Sequence, residues 1–254
     1  MGGEVMEFIT LGRTNLLVSR SALGTRRLEQ VSPSCTLSIL DAAYQSGINF
    51  YEVYLQSLGC ASSIGTFLSD KRKNCVLSVS SQIQENQNVT QLVENVLELL
   101  SLDYIDIFSI KAENEFYDQN DEVYKTLKFL KDSGKIHFIG FHTHTLSLAE
   151  KALDSDIYDV IQYPLNILSS DEEIEFVSCC QKKDIGFMAR MPFNAGKIDN
   201  VPLAFGFLRQ FESVIPVYSA GNLDEVQKLV YFEMNPPVAD ERFMEDIVSL
   251  KKNC

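Results

Sequence analysis

Eight short apolar runs alternate with amphipathic helical stretches along this chain, and that period limits its fold more than any other feature. The runs are Ala22 to Gly24, Ile48 to Val53, Cys75 to Val79, Tyr104 to Ile110, His137 to Phe141, Val160 to Tyr163, Gly186 to Ala189 and Val214 to Val217. Each is β-branched or aromatic and mostly apolar on both faces, as strands of a parallel sheet covered by helices must be. Between them, Val89 to Leu100 places Leu92, Val96, Leu99 and Leu100 on one helical face, and Val123 to Leu130 repeats the spacing with Val123, Leu127 and Leu130. The second of these helices should end at Ser133-Gly134, where glycine accepts the left-handed cap conformation.

Ahead of the first unit, Met6 to Ile9 and Leu16 to Val18 read as a hairpin turned by Gly12 to Asn15. After the last, Pro236-Pro237 stops one helix before another over Val238 to Leu250. Eight βα units predict an α/β fold: a (β/α)8 TIM barrel with an N-terminal β-hairpin and a C-terminal helix, one domain over residues 1–254. An open doubly wound sheet would require a GxGxxG turn after an early strand, and the chain has none.

Composition narrows the function classes. With 254 residues and 45% apolar side chains the chain can bury one large core. No uncharged apolar run reaches the roughly 18 residues of a membrane span. Glu4, Glu7 and Arg13 interrupt the start without an apolar block, so no secretory leader is expected and a cytoplasmic setting is. The six cysteines are scattered, with no CxxC pair and no histidine at zinc spacing, which argues for reduced thiols and against a metal site. A net charge of -13 argues against a nucleic-acid partner, since Lys71-Arg72-Lys73 reads as a solvated turn.

Six segments, in order along the chain, together resemble the aldo-keto reductase superfamily. They are Leu11 to Arg20, Gly47 to Phe50, Leu102 to Asp106, Gly134 to Gly140, Val160 to Asn166 and Met188 to Gly196. The likeness is to the bacterial branch whose members often carry an iron–sulfur extension. The cysteine-rich tail of that branch is missing, so no iron–sulfur cluster is implied.

The resemblance implies a nicotinamide dinucleotide across the C-terminal mouth of the barrel and a tetrad for carbonyl reduction. In that tetrad a tyrosine gives the proton, a lysine paired to an aspartate lowers its pKa, and a histidine orients the carbonyl. Carried onto this sequence, the aspartate position holds Glu52, the tyrosine position Ser57, the lysine position Ser80 and the histidine position Lys111. A register shift gives Ser81 or Gln82 instead of Ser80, and no lysine lies between Lys73 and Lys111. A serine hydroxyl is a poor donor to an alkoxide beside a phenol of pKa about 10. Tyr54 is the candidate stand-in, because strand alternation turns Tyr51 away from the face that carries Glu52.

Glu52 and Lys111 are expected to form an ion pair in place of the family's aspartate–lysine pair. The rival reading makes Lys111 a Schiff-base nucleophile of depressed pKa, which a neighbouring carboxylate opposes. The resemblance assigns cofactor contacts to Gly24, Thr25, Thr143, His144, Gln162, Arg190, Pro192, Ser219 and Asn222. Gln162 serves equally as a structural hydrogen-bonding group across the barrel. Tyr218-Ser219 replaces the family's proline-glycine turn, and no cation occurs between Arg209 and Lys228. NADP(H) or NAD(H) would therefore bind weakly, held by the helix start near Asn222 and opposed by Asp224 and Glu225. His142 and His144 lack a third ligand for a metal, and Cys60 has no cationic neighbour to activate it.

The expectation is a divergent barrel without standard carbonyl reduction, a pseudoenzyme that takes a small-molecule ligand or a protein partner at its mouth. The alternative is an active NAD(P)H-dependent oxidoreductase using Tyr54, Lys111 or water as proton donor. Schiff-base chemistry at Lys111 ranks third.

Overall fold

The structure is a computed structural model that describes residues 6–54, 59–84 and 87–253. The hairpin strands β1 (Phe8–Thr10) and β2 (Leu17–Ser19) pair antiparallel, turned by a 3-10 helix at Gly12–Thr14. The barrel begins with β3 (Ala22–Gly24), α1 (Pro33–Gln45), β4 (Phe50–Tyr54), α2 (Ala61–Leu68), β5 (Val76–Gln82) and α3 (Val89–Leu100). It continues with β6 (Ile105–Lys111), α4 (Glu122–Asp132), β7 (Ile136–His142), α5 (Leu146–Ser155), β8 (Val160–Pro164) and α6 (Asp171–Lys182). It ends with β9 (Gly186–Arg190), α7 (Val201–Arg209), β10 (Val214–Ser219), α8 (Leu223–Met234) and α9 (Glu241–Asn253). Strands β3 to β10 are parallel and close on each other, with β10 hydrogen-bonded to β3. Each of the eight anticipated strands is present.

Strand alternation sorts side chains between two cores. Outward residues such as Tyr51, Leu77, Phe108, Phe141 and Phe187 pack under the helices. Inward ones, Phe50, Val76, Ile107, Val160, Met188 and Ile215, fill the lower barrel. Leu11 and Val18 of the hairpin join that inner cluster, so the hairpin stoppers the N-terminal end. Its approach is close: a Cβ on Gly12 would stand 2.4 Å from the Gly186 nitrogen.

Helix faces differ from expectation in one detail. On α3, Val93, Val96, Leu97 and Leu100 are buried, whereas Leu99 is exposed at 43%. The apolar face is rotated from the anticipated one, because Val93 and Leu97 lie at the i, i+4 spacing that faces the sheet. On α4, Leu127 and Leu130 are fully buried as expected, each contributing roughly 2 kcal/mol. Gly134 follows that helix with φ +77°, the cap anticipated from its place in the sequence. No helix among the described residues is long and apolar enough to cross a membrane.

Candidate active site

Above the apolar plug the barrel interior turns polar. Inward positions near the C-terminal strand ends hold Glu52 and Tyr54 on β4, Ser78 and Ser80 on β5, and Ser109 and Lys111 on β6. His142, Gln162 and Arg190 complete the ring from β7, β8 and β9. Neighbours meet in register as Tyr54 with Ser80, Ser80 with Ser109, Lys111 with His142, and His142 with Gln162. The crowding favours small side chains: a Cβ on Gly140 would come within 2.1 Å of the Ser109 hydroxyl.

Glu52 does not pair with Lys111. Its Oε2 lies 2.7 Å from Nη1 of Arg190, and the carboxylate is 1% exposed. Strands β4 and β9 are separated only by β3 and β10, which present Gly24 and Ser219 beside Glu52 and leave room for the long guanidinium to cross. Lys111 is badly placed for the same role. Glu52 is in register with Ser78 and Ser78 with Ile107, so Lys111 lies four residues farther along β6. That is about 13 Å of strand.

Lys111 instead meets Glu113 at 2.8 Å and donates to the Tyr54 hydroxyl at 3.4 Å. Burial works to lower its pKa, but the hydrogen bonds to Glu113 and Tyr54 prevail and hold it above the ordinary lysine value. An ammonium so held is a poor Schiff-base nucleophile. The bond to Lys111 in turn lowers the Glu113 carboxyl. Tyr54 points into the mouth as alternation required, whereas Tyr51 faces the helices and donates its hydroxyl to the Ile48 carbonyl at 3.0 Å.

Ser80, which the sequence resemblance set in the lysine position, is fully buried and shares a 2.7 Å hydrogen bond with Nδ1 of His142. Burial pushes the His142 pKa well below the usual histidine value, and Arg190, His144 and Lys111 push the same way. The imidazole is therefore neutral. Gln162 donates its amide to Ser78 at 3.2 Å and Ser109 at 3.0 Å, so its structural role is real. Four buried atoms in this layer have no hydrogen-bond partner: Glu52 Oε1, His142 Nε2, Gln162 Oε1 and Arg190 Nη1, the last held to Glu52 by charge alone. His144 sits at the rim, its ring 5.4 Å from that of His142. Partial burial lowers its pKa; Glu113 opposes this, while Lys111, Arg190 and Arg26 add to it.

The other anticipated residues lie farther out. Ser57 falls outside the described residues. Thr143 is buried and its hydroxyl accepts from the Thr145 backbone at 3.1 Å. Thr25 is buried with its backbone N–H on the Glu52 carbonyl at 2.9 Å, and Pro192 is buried beyond β9. Phe116 packs on Phe141 and Tyr158, and Phe193 on Phe205 and Tyr218, both on the helix side of the barrel wall. Cys60 is buried and burial raises its thiol pKa, so it is inert. Among the described residues no three histidine, cysteine or acidic side chains come together to hold a metal.

The edge between β3 and β10 decides how a dinucleotide would fit. Asn222 caps α8, its side chain accepting from Glu225 N–H at 2.9 Å. The Glu225 carboxylate turns back onto the Gly221 N–H at 2.8 Å and takes both arms of Arg27, at 2.9 and 2.6 Å. A helix start is where a pyrophosphate finds donors; here the chain's own carboxylate holds the place. Glu225 therefore sets a negative charge at the helix start, against the approach of a dinucleotide's phosphates.

Sequence reasoning missed Glu113 and Arg27 and weighed His142 only as a metal ligand. Arg27 follows the first barrel strand, far in sequence from α8, and only closure brings them together. For His142 a signal existed: Ser78, Ser80 and Ser109 recur at every second position of β5 and β6 and mark a polar interior that needs partners.

Comparisons with known proteins agree with the architecture. The profile of the Aldo/keto reductase family matches residues 21–204. An aldo-keto reductase from Bacillus halodurans in its holo form superposes with a TM-score of 0.82 at 18% identity, over 96% of each chain. One from Klebsiella pneumoniae, in complex with NADPH, gives 0.83 at 17% identity, covering 97% of this chain and 95% of that one. A putative aldo-keto reductase from Pseudomonas aeruginosa gives 0.78 at 22%, covering 90% and 94%. No curated protein sequence matches the chain.

Proposed function

The chain belongs to the aldo/keto reductase family, and from that premise we propose that it has given up the family's tyrosine–lysine–histidine reduction of carbonyls and holds a small polar ligand in its barrel mouth. One observation carries this reading. Where the lysine that tunes the proton donor should stand, Ser80 is bound to a buried neutral imidazole, and the nearest ammonium, Lys111, is tied to Glu113. A small molecule suits the mouth better than a protein partner, because the unpartnered atoms of Glu52, His142 and Gln162 lie too deep for a protein surface to reach. A cytoplasmic location belongs to the same proposal, supported by the free thiols Cys35, Cys60, Cys75, Cys179 and Cys180.

The test is a titration with NADPH and NADH followed by fluorescence, then an assay of aldehydes and quinones. Weak or absent cofactor binding and no turnover are expected. Reduction at rates ordinary for the family would overturn the reading.

One contact favours a second reading. Tyr54, Lys111 and Glu113 stand in the order phenol, ammonium, carboxylate, at 3.4 and 2.8 Å. An enzyme that protonates its substrate from Tyr54 would use that order, and Tyr54→Phe would then abolish whatever turnover the assay detects.

A further inference from the structure

We propose that the N-terminal hairpin and a proton on Glu233 are coupled through Arg209, so that the stopper sits firmly while Glu233 is protonated and loosens once that carboxyl ionises. The coupling lies at the closed end of the barrel and is independent of any ligand at the mouth.

Four charged side chains from four parts of the chain meet there. Glu7 leads into β1, Arg20 joins β2 to β3, Arg209 ends α7 and Glu233 lies in the last turn of α8. Both arginines hold Glu7: Arg209 donates Nη2 to its Oε2, and Arg20 brings Nη1 within 3.7 Å of its Oε1. Arg20 is itself pinned. Its Nη2 donates to the carbonyls of Arg209 and Phe211 at 3.3 and 2.9 Å, and its backbone N–H to the Glu7 carbonyl at 2.9 Å. Arg209 is the shared member. Its Nη1 stands 3.8 Å from Glu233 Oε2, too far for a hydrogen bond, and neither atom has another partner.

The Glu233 side chain is 5% exposed and that of Glu7 is 47%, yet the exposed carboxylate has the hydrogen bond and the buried one goes without. Two effects then act in one direction. With the hairpin seated, Glu7 draws Arg209 away from Glu233 and adds a like charge nearby, and both favour a neutral Glu233. With the hairpin lifted, Arg209 is free to turn onto Glu233 and favour its ionised form. By linkage, a proton that binds better to the seated form also seats the hairpin more tightly. Burial raises the Glu233 carboxyl, Ser21, Arg209 and Arg20 oppose it, and Glu7 adds to the rise. This contribution to seating is therefore full below the ordinary value of 4.5 and is lost as pH rises through the raised one. The neighbouring groups do not compete. Tyr218 of β10 faces Glu233 with a phenol pushed well above its usual value, chiefly by burial, and Glu212, ahead of β10, acts on Arg20. Asp41, the one charge on α1, is taken by Lys71 at 3.5 Å.

Hydrogen exchange on the full chain reads the hairpin through the Leu11 and Arg20 amides, which are bonded to the Leu16 and Glu7 carbonyls. Corrected for intrinsic exchange and referred to the amides of β8, their opening should grow on the order of fivefold from about pH 5 to 7. Glu233→Gln cannot ionise and should hold that ratio level with pH. Glu7→Gln changes an exposed side chain and releases Arg209, so the Glu233 carboxyl carbon resonance should titrate with its midpoint lowered by about 0.5. If Glu233→Gln folds poorly, Glu7→Gln decides alone. A wild-type ratio that stays level, a ratio that grows equally in Glu233→Gln, or a Glu233 midpoint unmoved by Glu7→Gln overturns the coupling.

Discussion

Ser80 and His142, 62 residues apart in sequence, share a 2.7 Å hydrogen bond inside the barrel, and that bond fixes one face of the only imidazole buried in the mouth among the described residues. Ser80→Ala leaves Nδ1 without that partner in a buried layer. The expected cost is about 1–3 kcal/mol, the penalty of an orphaned buried polar group. Urea denaturation of the two proteins measures it directly.

The same imidazole makes stability depend on pH. Its folded pKa lies well below the usual value of 6.5, chiefly through burial. Below 6.5 the unfolded chain takes a proton that the folded chain refuses, so the stability present above that pH is lost as pH falls toward the folded pKa. The slope in that window approaches about 1.4 kcal/mol per pH unit for one such group. His144, also lowered, adds in the same direction. Glu233 acts oppositely at more acid pH, because burial raises its carboxyl pKa and the folded chain binds that proton more readily. Denaturation midpoints of wild type and His142→Gln across about pH 5 to 7.5, which brackets the histidine reference, should converge at the acid end.

Glu52 and Arg190 form a cross-barrel pair with a 2.7 Å contact. Glu52→Met or Arg190→Met alone strands a charge and should destabilise by about 3–5 kcal/mol, while the double replacement should lie near neutral. A double-mutant cycle in urea decides this; two single variants with mild, additive effects would mean that the pair is not the one the barrel depends on.

Lys111 remains an ammonium, since Glu113 and Tyr54 outweigh the effect of burial. Borohydride treatment with a broad carbonyl panel should therefore leave its mass unchanged. A stable adduct at Lys111, found by peptide mass spectrometry, would restore Schiff-base chemistry to the list of functions.

Glu225→Gln removes the negative charge from the start of α8 and frees Arg27. Affinity for NADPH should rise by on the order of tenfold, one charge-assisted contact's worth, and should fall again with added salt. Fluorescence titration at two ionic strengths reports both.

The barrel was legible because its period is local: each strand and each helix face is written in neighbouring residues, and all eight strands appear where the apolar runs stand. The four tetrad positions, Glu52, Ser57, Ser80 and Lys111, were read from residue type in an ordered set of motifs and stand as an expectation. Pairing was not legible. Arg190 reaches Glu52 only because Gly24 and Ser219, from two intervening strands, leave the space between them. A carboxylate and a cation on the same list of site residues suggested a pair, but distance along the strand chose another. Arg27 escaped notice for a similar reason, since it serves α8 from the opposite end of the sequence.

Ala22 lies against Val217 and Gly24 against Ser219, so the first stave of the barrel waits for the last. During synthesis β3 keeps one bare edge while every other strand is made, and only the emergence of β10 removes both free edges at once. Glu52 follows the same timetable. Its carboxylate is translated early and stays hydrated until Arg190 arrives with β9, so hoop closure and the drying of that charge become a single late event in the birth of the molecule.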